Sequence, residues 1–154
     1  MTPLLPRAAV RLGFLSLAPL VVAGLVCLSS NFETARLGAI AFSIYAAALL
    51  SFLGGVRCGF ELMRAPDAPD ALRLLFSALP TLAGWAYAVL MTAFPIAPGA
   101  AAAFAGIFAA QNIWDARSAK HGAPAWYPML RQVLTGGVMI VCLLLPFAGL
   151  LRQF

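Results

Sequence analysis

The chain is poor in charge. Only 10% of its 154 residues are charged, five of them acidic and ten basic, whereas an ordinary soluble domain carries roughly 25%. This deficit argues against a water-soluble fold. The length also leaves no room for a separate soluble module beside a membrane domain, so we predict a single transmembrane domain over residues 1–154.

Residues that bind metals or build disulfides are also few. The three cysteines, Cys27, Cys58 and Cys142, are far apart, lie in or beside apolar stretches and form no Cys-x-x-Cys pair. The single histidine, His121, has no second ligand close to it in the sequence. We interpret the cysteines as small buried hydrophobic residues. We predict no metal site, no cofactor and no catalytic residue.

Hydrophobic residues are abundant and make up 63% of the chain. They fall into five long apolar stretches with most of the charges between them. A helix of about 20 apolar residues crosses a hydrocarbon core of roughly 30 Å, where only helices or closed barrels satisfy every backbone polar group. We therefore predict an all-α polytopic membrane protein, a bundle of five transmembrane helices. The expected spans are about 12–30, 36–57, 71–94, 98–114 and 128–151.

Several helix ends can be read from the sequence. Asp70 suits the N-cap of the third helix, and Pro128 suits the first turn of the fifth. The second helix is expected to continue beyond its span to Met63. Arg7 and Arg11 before an apolar run also match the opening of a cleaved signal peptide. No small-x-small cleavage site follows that run cleanly, so we expect an uncleaved anchor.

The basic residues are distributed unevenly over the two sides of the predicted bundle. Eight lie on the N-terminal side, and only Arg36 and Arg152 lie on the other. The positive-inside rule then predicts a cytoplasmic N-terminus and a periplasmic C-terminus. We expect a bacterial inner membrane because the chain has no amphipathic, Arg- and Ser-rich leader. The net charge of +5 is scattered over loop ends, so we predict no nucleic-acid partner. The eight residues are Arg7, Arg11, Arg57, Arg64, Arg73, Arg117, Lys120 and Arg131.

Small residues recur at helical spacing, and the connections on the far side are short. Gly55 and Gly59 form one small-xxx-small pair, and Ala102, Gly106 and Ala110 form a longer stripe. Such stripes allow close approach of membrane helices, which we prefer to the alternative that they line a ligand cavity. The short connections at 29–35 and 94–98 predict that helices one and two, and helices three and four, are antiparallel neighbours.

The polar residues of the cytoplasmic side form the main candidate site. Arg57 and Glu61 are four residues apart and able to pair on one helical face. Ionisable groups near a membrane core usually face the bundle interior and find partners. We therefore predict one polar cluster in which Asp115 pairs with Arg57 or Arg131. It is either a structural clamp, which we prefer, or a binding site for an anionic head group or a proton-handling pair. The candidate residues are Arg57, Glu61, Arg73, Gln111, Asp115 and Arg131.

Two aromatic residues join the candidate binding set. Trp114, Trp126 and Tyr127 flank the loop before the fifth helix, where an interfacial aromatic belt is expected. Trp85 falls near the middle of the third helix, where packing is a more common role than ligand binding. Trp85 and Tyr127 are the candidate aromatic binding residues.

Four parts of the chain carry a resemblance to a known family. They are SFLGGVRCGFEL at 51–62, LAGWAYAVL at 82–90, Asp115, and PAWYPMLRQVLT at 124–135. Together they resemble the domain of unknown function 3429 family, which is related to animal transmembrane protein 69. The family pattern commonly has Trp where this chain has Cys58. The resemblance implies a multi-span membrane protein of bacteria and mitochondria-related compartments, and it implies no established activity.

Three functions are compatible with these features. The preferred one is a non-enzymatic membrane protein that binds membrane lipids, a quinone or a similar hydrophobic small molecule, or that assists a membrane complex or forms a homo-oligomer. The first alternative is a small transporter or channel. The second is an intramembrane enzyme acting on a lipid head group, with Glu61 and Asp115 as acid and base and arginines holding a phosphate.

Overall fold

The structure is a computed structural model. It describes residues 6–93, 99–118 and 123–151, and all regular secondary structure in those ranges is α-helical. Lys120, His121, Arg152 and the predicted turn at 94–98 lie outside the described residues. The five helices are α1 (Arg7–Cys27), α2 (Phe32–Arg64), α3 (Ala71–Ala93), α4 (Gly99–Ser118) and α5 (Tyr127–Leu151).

The predicted starts of α3 and α5 are confirmed. The Asp70 side chain accepts hydrogen bonds from the backbone N–H groups of Leu72 and Arg73, at 2.9 and 3.3 Å. It thereby satisfies two of the donors that the first turn of a helix leaves free. Pro128 lies in the first turn of α5, which begins at Tyr127.

The second helix is longer than a bilayer requires. Its 33 residues span about 50 Å at 1.5 Å per residue, against a hydrocarbon core of roughly 30 Å. Asn31 caps its start by accepting a hydrogen bond from the N–H of Thr34. The predicted continuation of the helix to Met63 is confirmed, because the helix ends at Arg64.

Four of the five helices of the described chain are long and apolar enough to cross a membrane. They are α1, α2, α3 and the part of α5 from Tyr127 to Leu144. α4 is less apolar because Gln111, Asn112 and Asp115 lie in its second half. The structure thus supports a membrane-type helical protein with four spans by composition.

The helices form a ring in which each packs on its two neighbours. α1 contacts α2 and α5, α3 contacts α2 and α4, and α4 completes the ring against α5. α2 also reaches across to α4, where Phe104 packs edge-to-face on Phe42 and on Tyr87. α1 and α2 are antiparallel neighbours as predicted, because Gly38 lies against Cys27 while Tyr45 further along α2 reaches back to Ser16.

Close packing of α2 on α3 involves Gly54 and not the expected Gly55 and Gly59. A Cβ atom added at Gly54 would clash with the backbone oxygen of Ser77, so α2 and α3 pack tightly there. Gly55 and Gly59 have no such neighbour within 4 Å of the same position. The prediction of packing at Gly55 and Gly59 was wrong, because successive residues of a helix point about 100° apart and the neighbour lies on the Gly54 side.

The small-residue stripe of α4 does not pack within the chain either. Ala102, Gly106 and Ala110 are exposed, and a Cβ at Gly106 would meet nothing within 4 Å. Phe104 and Phe108 are almost fully buried instead. The bulky aromatic face of α4 fills the core, so the prediction of close packing along the stripe was wrong.

Candidate functional site

Asp115 forms an ion pair with both arginines that the sequence offered as alternatives. Arg131 Nε donates a hydrogen bond of 2.9 Å to Asp115 Oδ2, and Arg57 Nη1 lies 3.5 Å from Oδ1. The Asp115 side chain is 1% exposed, that of Arg131 6% and that of Arg57 16%. The predicted pairing is confirmed. We call Arg57, Asp115 and Arg131 the charged triad.

The charged triad has an excess of one positive charge. Two arginines share a single carboxylate, and all three groups are largely withdrawn from water. A buried charge is costly unless it is paired and hydrogen-bonded. The Arg57 guanidinium also stacks over the Trp114 ring, with its Cζ 4.9 Å from the ring centroid. This is a favourable cation–π arrangement.

Glu61 belongs to a separate group of charges. Its carboxylate accepts a hydrogen bond of 3.0 Å from Arg64 Nε and one of 3.1 Å from the backbone N–H of Asp70. Arg73 Nη1 lies 3.6 Å from Glu61 Oε2, and Arg73 also pairs with Asp70. We call Glu61, Arg64, Asp70 and Arg73 the Glu61 clamp. Within it the charges balance, and it holds the end of α2 against the start of α3.

The Glu61 clamp corrects two predictions. Glu61 pairs with Arg64 and Arg73 rather than with Arg57, so the charged residues of the predicted cluster form two groups and not one. The cause is the chain reversal after α2, which brings the start of α3 to Glu61 while Arg57 turns toward α4. Glu61 lies in the last turn of α2, outside the predicted span 36–57, and the hydrogen bond from Arg64 lowers the pKa of Glu61 to about 2. A general acid works best with a pKa near the operating pH, so Glu61 is a fixed anion.

A cavity of about 580 Å³ lies between α1, α2 and α5. Its walls are apolar and include Leu12 of α1, Leu53 of α2 and Leu134 of α5, with Phe108 of α4 also contributing. Small-molecule sites in proteins are mostly apolar cavities of about 300–1,000 Å³ with a few polar groups. The sequence did not reveal this cavity, since it depends on how three helices separate.

The polar part of the cavity lining comes from the start of α5. Trp126, Tyr127 and Arg131 all line the cavity, and the Tyr127 ring packs edge-to-face on Phe60 at 5.0 Å. The hydroxyl of Tyr127 and Nη2 of Arg131 are buried without a hydrogen-bond partner in the described protein. Buried polar groups usually have a partner; here the Tyr127 hydroxyl lies beside the Arg131 guanidinium, although neither atom has a hydrogen bond of normal geometry.

The cavity opens onto the outer surface of the bundle. Leu12 of α1 and Phe52 of α2 line it and are 67% and 68% exposed. Elsewhere α1 and α2 are held together, because Tyr45 donates a hydrogen bond of 2.8 Å to the backbone oxygen of Ser16. The cavity opening therefore lies among exposed apolar side chains of α1 and α2.

Two further buried polar residues belong to α4 and α5 and do not line the cavity. Gln111 and Thr135 are buried, and their side-chain polar atoms have no hydrogen-bond partner in the described protein. Gln111 was a sequence candidate, and Thr135 was missed. Its position four residues after Arg131 on the same helical face was the available signal.

Trp85 lies apart from the other candidates. It is 63% exposed on the outer face of α3 and does not line the cavity. The reason is its neighbour Gly84, whose absent side chain lets α3 approach Ala47 and Leu50 of α2. With Gly84 directed at α2, the next residue points outward. The structure thus brings Tyr127, but not Trp85, to the charged triad.

Comparison with known proteins places these features in a family context. The family model described as Protein of unknown function (DUF3429) matches residues 5–147. Transmembrane protein 69 of Xenopus tropicalis is 33% identical over 133 residues, which cover 84% of this chain and 50% of the relative. The chain thus spans about half the length of that curated relative. No solved structure matches the chain significantly.

Proposed function

Because the chain belongs to the DUF3429 family of proteins of unknown function, we propose a function from its own geometry: it is a non-enzymatic membrane protein that binds a lipid, a quinone or a similar amphiphile. The observation that supports this proposal most directly is the cavity of about 580 Å³ between α1, α2 and α5. Its volume, apolar walls and few polar groups are those of a small-molecule site. Its opening beside Leu12 and Phe52 gives a hydrophobic molecule direct access from the bilayer.

The proposed topology has α4 as a fifth crossing. Asp115 near the end of α4 meets Arg57 near the end of α2 and Arg131 near the start of α5. α4 therefore runs beside the membrane-type helices, and its polar residues are partnered within the bundle. Five crossings separate the termini, and the positive-inside rule assigns the N-terminus to the cytoplasm of a bacterial inner membrane.

The alternative functions gain no specific support from the described residues. For a transporter, a polar path near the midplane is expected, yet the hydroxyls of Ser43 and Tyr45 donate to backbone carbonyls. An enzyme using Glu61 and Asp115 would have to release both carboxylates from their arginines. Assembly with a second copy or a larger membrane complex stays a prediction.

A cavity-filling substitution tests the proposed function. Val56 lines the cavity, and Val56→Trp would place a bulky indole ring inside it. Val89 is 50% exposed on α3 and does not line it, so Val89→Trp is the matched control. We expect native mass spectrometry of the protein, extracted gently from its membrane, to detect one retained amphiphile in the wild type and in Val89→Trp. That molecule should be absent from Val56→Trp.

The same measurement can reject the proposal. If the wild type retains no small molecule after gentle extraction, the cavity is not a binding site. If Val56→Trp folds and retains the same molecule as the wild type, the molecule binds somewhere else. Far-ultraviolet circular dichroism of all three proteins would establish that each variant keeps its helices.

A further inference from the structure

We propose that the bound amphiphile is anionic and that its phosphate or carboxylate head group is held beside Arg131 and Tyr127 by the excess positive charge of the charged triad. This inference rests on the proposed function and specifies the chemical class of the ligand. A quinone or another neutral amphiphile would fill the same cavity without balancing that charge.

The first argument is the charge balance at the polar end of the cavity. Asp115 neutralises only one of its two arginines, although Arg131 is almost fully buried. Two other carboxylates of α2 and the start of α3, Glu61 and Asp70, are already matched by Arg64 and Arg73 in the Glu61 clamp. An uncompensated charge away from water is unfavourable. A negative head group in the cavity would provide the missing counter-charge.

The second argument is the set of hydrogen-bonding groups that the protein leaves without partners. Arg131 uses Nε to bind Asp115, while its Nη2 has no partner. The Tyr127 hydroxyl is also buried without a hydrogen bond of normal geometry, it lies beside the Arg131 guanidinium, and both residues line the cavity. A guanidinium and a phenol are suitable donors to phosphate or carboxylate oxygens, and such charge-assisted hydrogen bonds are about twice as strong as neutral ones.

The third argument is the amphipathic form of the cavity. Trp126 lies just before α5 and Tyr127 and Arg131 lie in its first two turns, while Leu134 and Val138 line the cavity one and two turns beyond Arg131. A molecule whose head lies at Arg131 would therefore place its hydrocarbon chain along apolar walls. The opening beside Leu12 and Phe52 allows the rest of the chain to extend into the bilayer.

Matched amphiphiles test the inference. The full-length protein, stripped of endogenous ligand in detergent, would be titrated with phosphatidylglycerol and with phosphatidylcholine of the same acyl chains and followed by native mass spectrometry. Palmitate and hexadecanol form a second pair. We expect the anionic member of at least one pair to bind about tenfold more tightly, the effect of one charge-assisted interaction. The pair that shows the larger ratio distinguishes a phospholipid from a free fatty acid.

Two substitutions with opposite effects on charge make the test specific. Arg57→Gln keeps the pair between Arg131 and Asp115 but makes the charged triad neutral, so the preference for the anionic ligand should fall severalfold. Asp115→Asn raises the net charge by one, so the preference should increase. Arg36→Gln is the matched control, because Arg36 pairs with Glu33 at the opposite end of α2. It should leave the preference unchanged.

Each outcome has a defined meaning. If anionic and neutral ligands bind the wild type equally, the inference is overturned while the proposed function stands. If neither member of either pair binds, and no molecule is retained from the membrane, the proposed function fails as well. An Arg57→Gln variant that keeps the full preference also overturns the inference. Should Asp115→Asn not fold, Arg57→Gln against Arg36→Gln still decides the question.

Discussion

Arg131 Nε and Asp115 Oδ2, 2.9 Å apart, join the start of α5 to the end of α4. Both side chains are almost completely removed from solvent. This buried pair helps to fix α4 and α5 in register at this end. The same carboxylate draws Arg57 of α2 into the site, so one acidic residue organises three helices beside the cavity.

Removing that carboxylate should destabilise the bundle. Asp115→Ala leaves Arg131 buried without a counter-charge, which costs about 3–5 kcal/mol when one partner of a buried pair is lost. The double variant Asp115→Leu with Arg131→Met should be more stable than Asp115→Ala, because it removes both charges. Equilibrium unfolding in mixed detergent micelles measures the difference. Glu33→Ala, which removes an exposed carboxylate, should change stability little. Equal stability of Asp115→Ala and the wild type would contradict the assigned role.

The two adjacent glycines of α2 should respond oppositely to alanine. Gly54→Ala places a methyl group against the backbone oxygen of Ser77, and overpacking of this kind typically costs about 1–3 kcal/mol. Gly55→Ala meets open space and should be neutral or stabilising by about 0.5–1 kcal/mol, since alanine favours helix. Unfolding curves of both variants test this. A larger loss for Gly55→Ala would mean that its face is covered by another chain.

The Glu61 clamp should order the connection between α2 and α3. Glu61→Gln removes the charge that binds Arg64 and Arg73, and it weakens the acceptor of the Asp70 backbone N–H. We expect faster hydrogen exchange in residues 65–70, measured by mass spectrometry at constant pH. Exchange within α5 should not change, because the four residues of the Glu61 clamp lie at the end of α2 and the start of α3.

The stabilisation from Glu61 should disappear in acid. Its folded pKa of about 2 lies below the ordinary value of 4.5 because of the Arg64 hydrogen bond. A depressed carboxyl pKa contributes stability above the unfolded pKa, and that stability is lost as the pH falls toward the folded pKa. The difference in thermal stability between wild type and Glu61→Gln should thus be constant above about pH 5 and shrink toward pH 2. A constant difference over that whole range would contradict the assignment.

Trp126 and Trp85 should differ in their effect on ligand retention. Trp126 lines the cavity, whereas Trp85 is exposed on the outer face of α3. Trp126→Ala should lower retention of the bound amphiphile in native mass spectra by about tenfold, the scale of one well-packed aromatic contact. Trp85→Ala should retain it as the wild type does. The reverse result would move the binding site to the surface of α3.

Reporter fusions test the topology with five crossings. An alkaline phosphatase domain fused to the C-terminus should be active because it reaches the periplasm, while a fluorescent protein fused to the N-terminus should fold in the cytoplasm. Termini on the same side would show that α4 does not cross the membrane.

Local features of the sequence were sufficient to predict the helices. Hydropathy averaged over about 20 residues does not depend on which way any one side chain points, so the apolar segments were identified without knowledge of the fold. Asp70 acts within its own first turn, and its capping role is visible for the same reason. α4 is the exception, because Gln111 and Asp115 make its composition ambiguous until their partners are known.

The sequence by itself determined that the chain is a set of apolar helices with scarce charges concentrated at one end, and that Asp115 would need an arginine. Only the tertiary structure decided that both Arg57 and Arg131 reach Asp115, that Glu61 turns to Arg64 and Arg73, and that a cavity opens beside Arg131. The physical reason is rotational. Successive side chains of a helix point about 100° apart. Gly54 and Gly55 therefore face different surroundings, as do Gly84 and Trp85. Only the packing of the helices decides what each of these residues contacts.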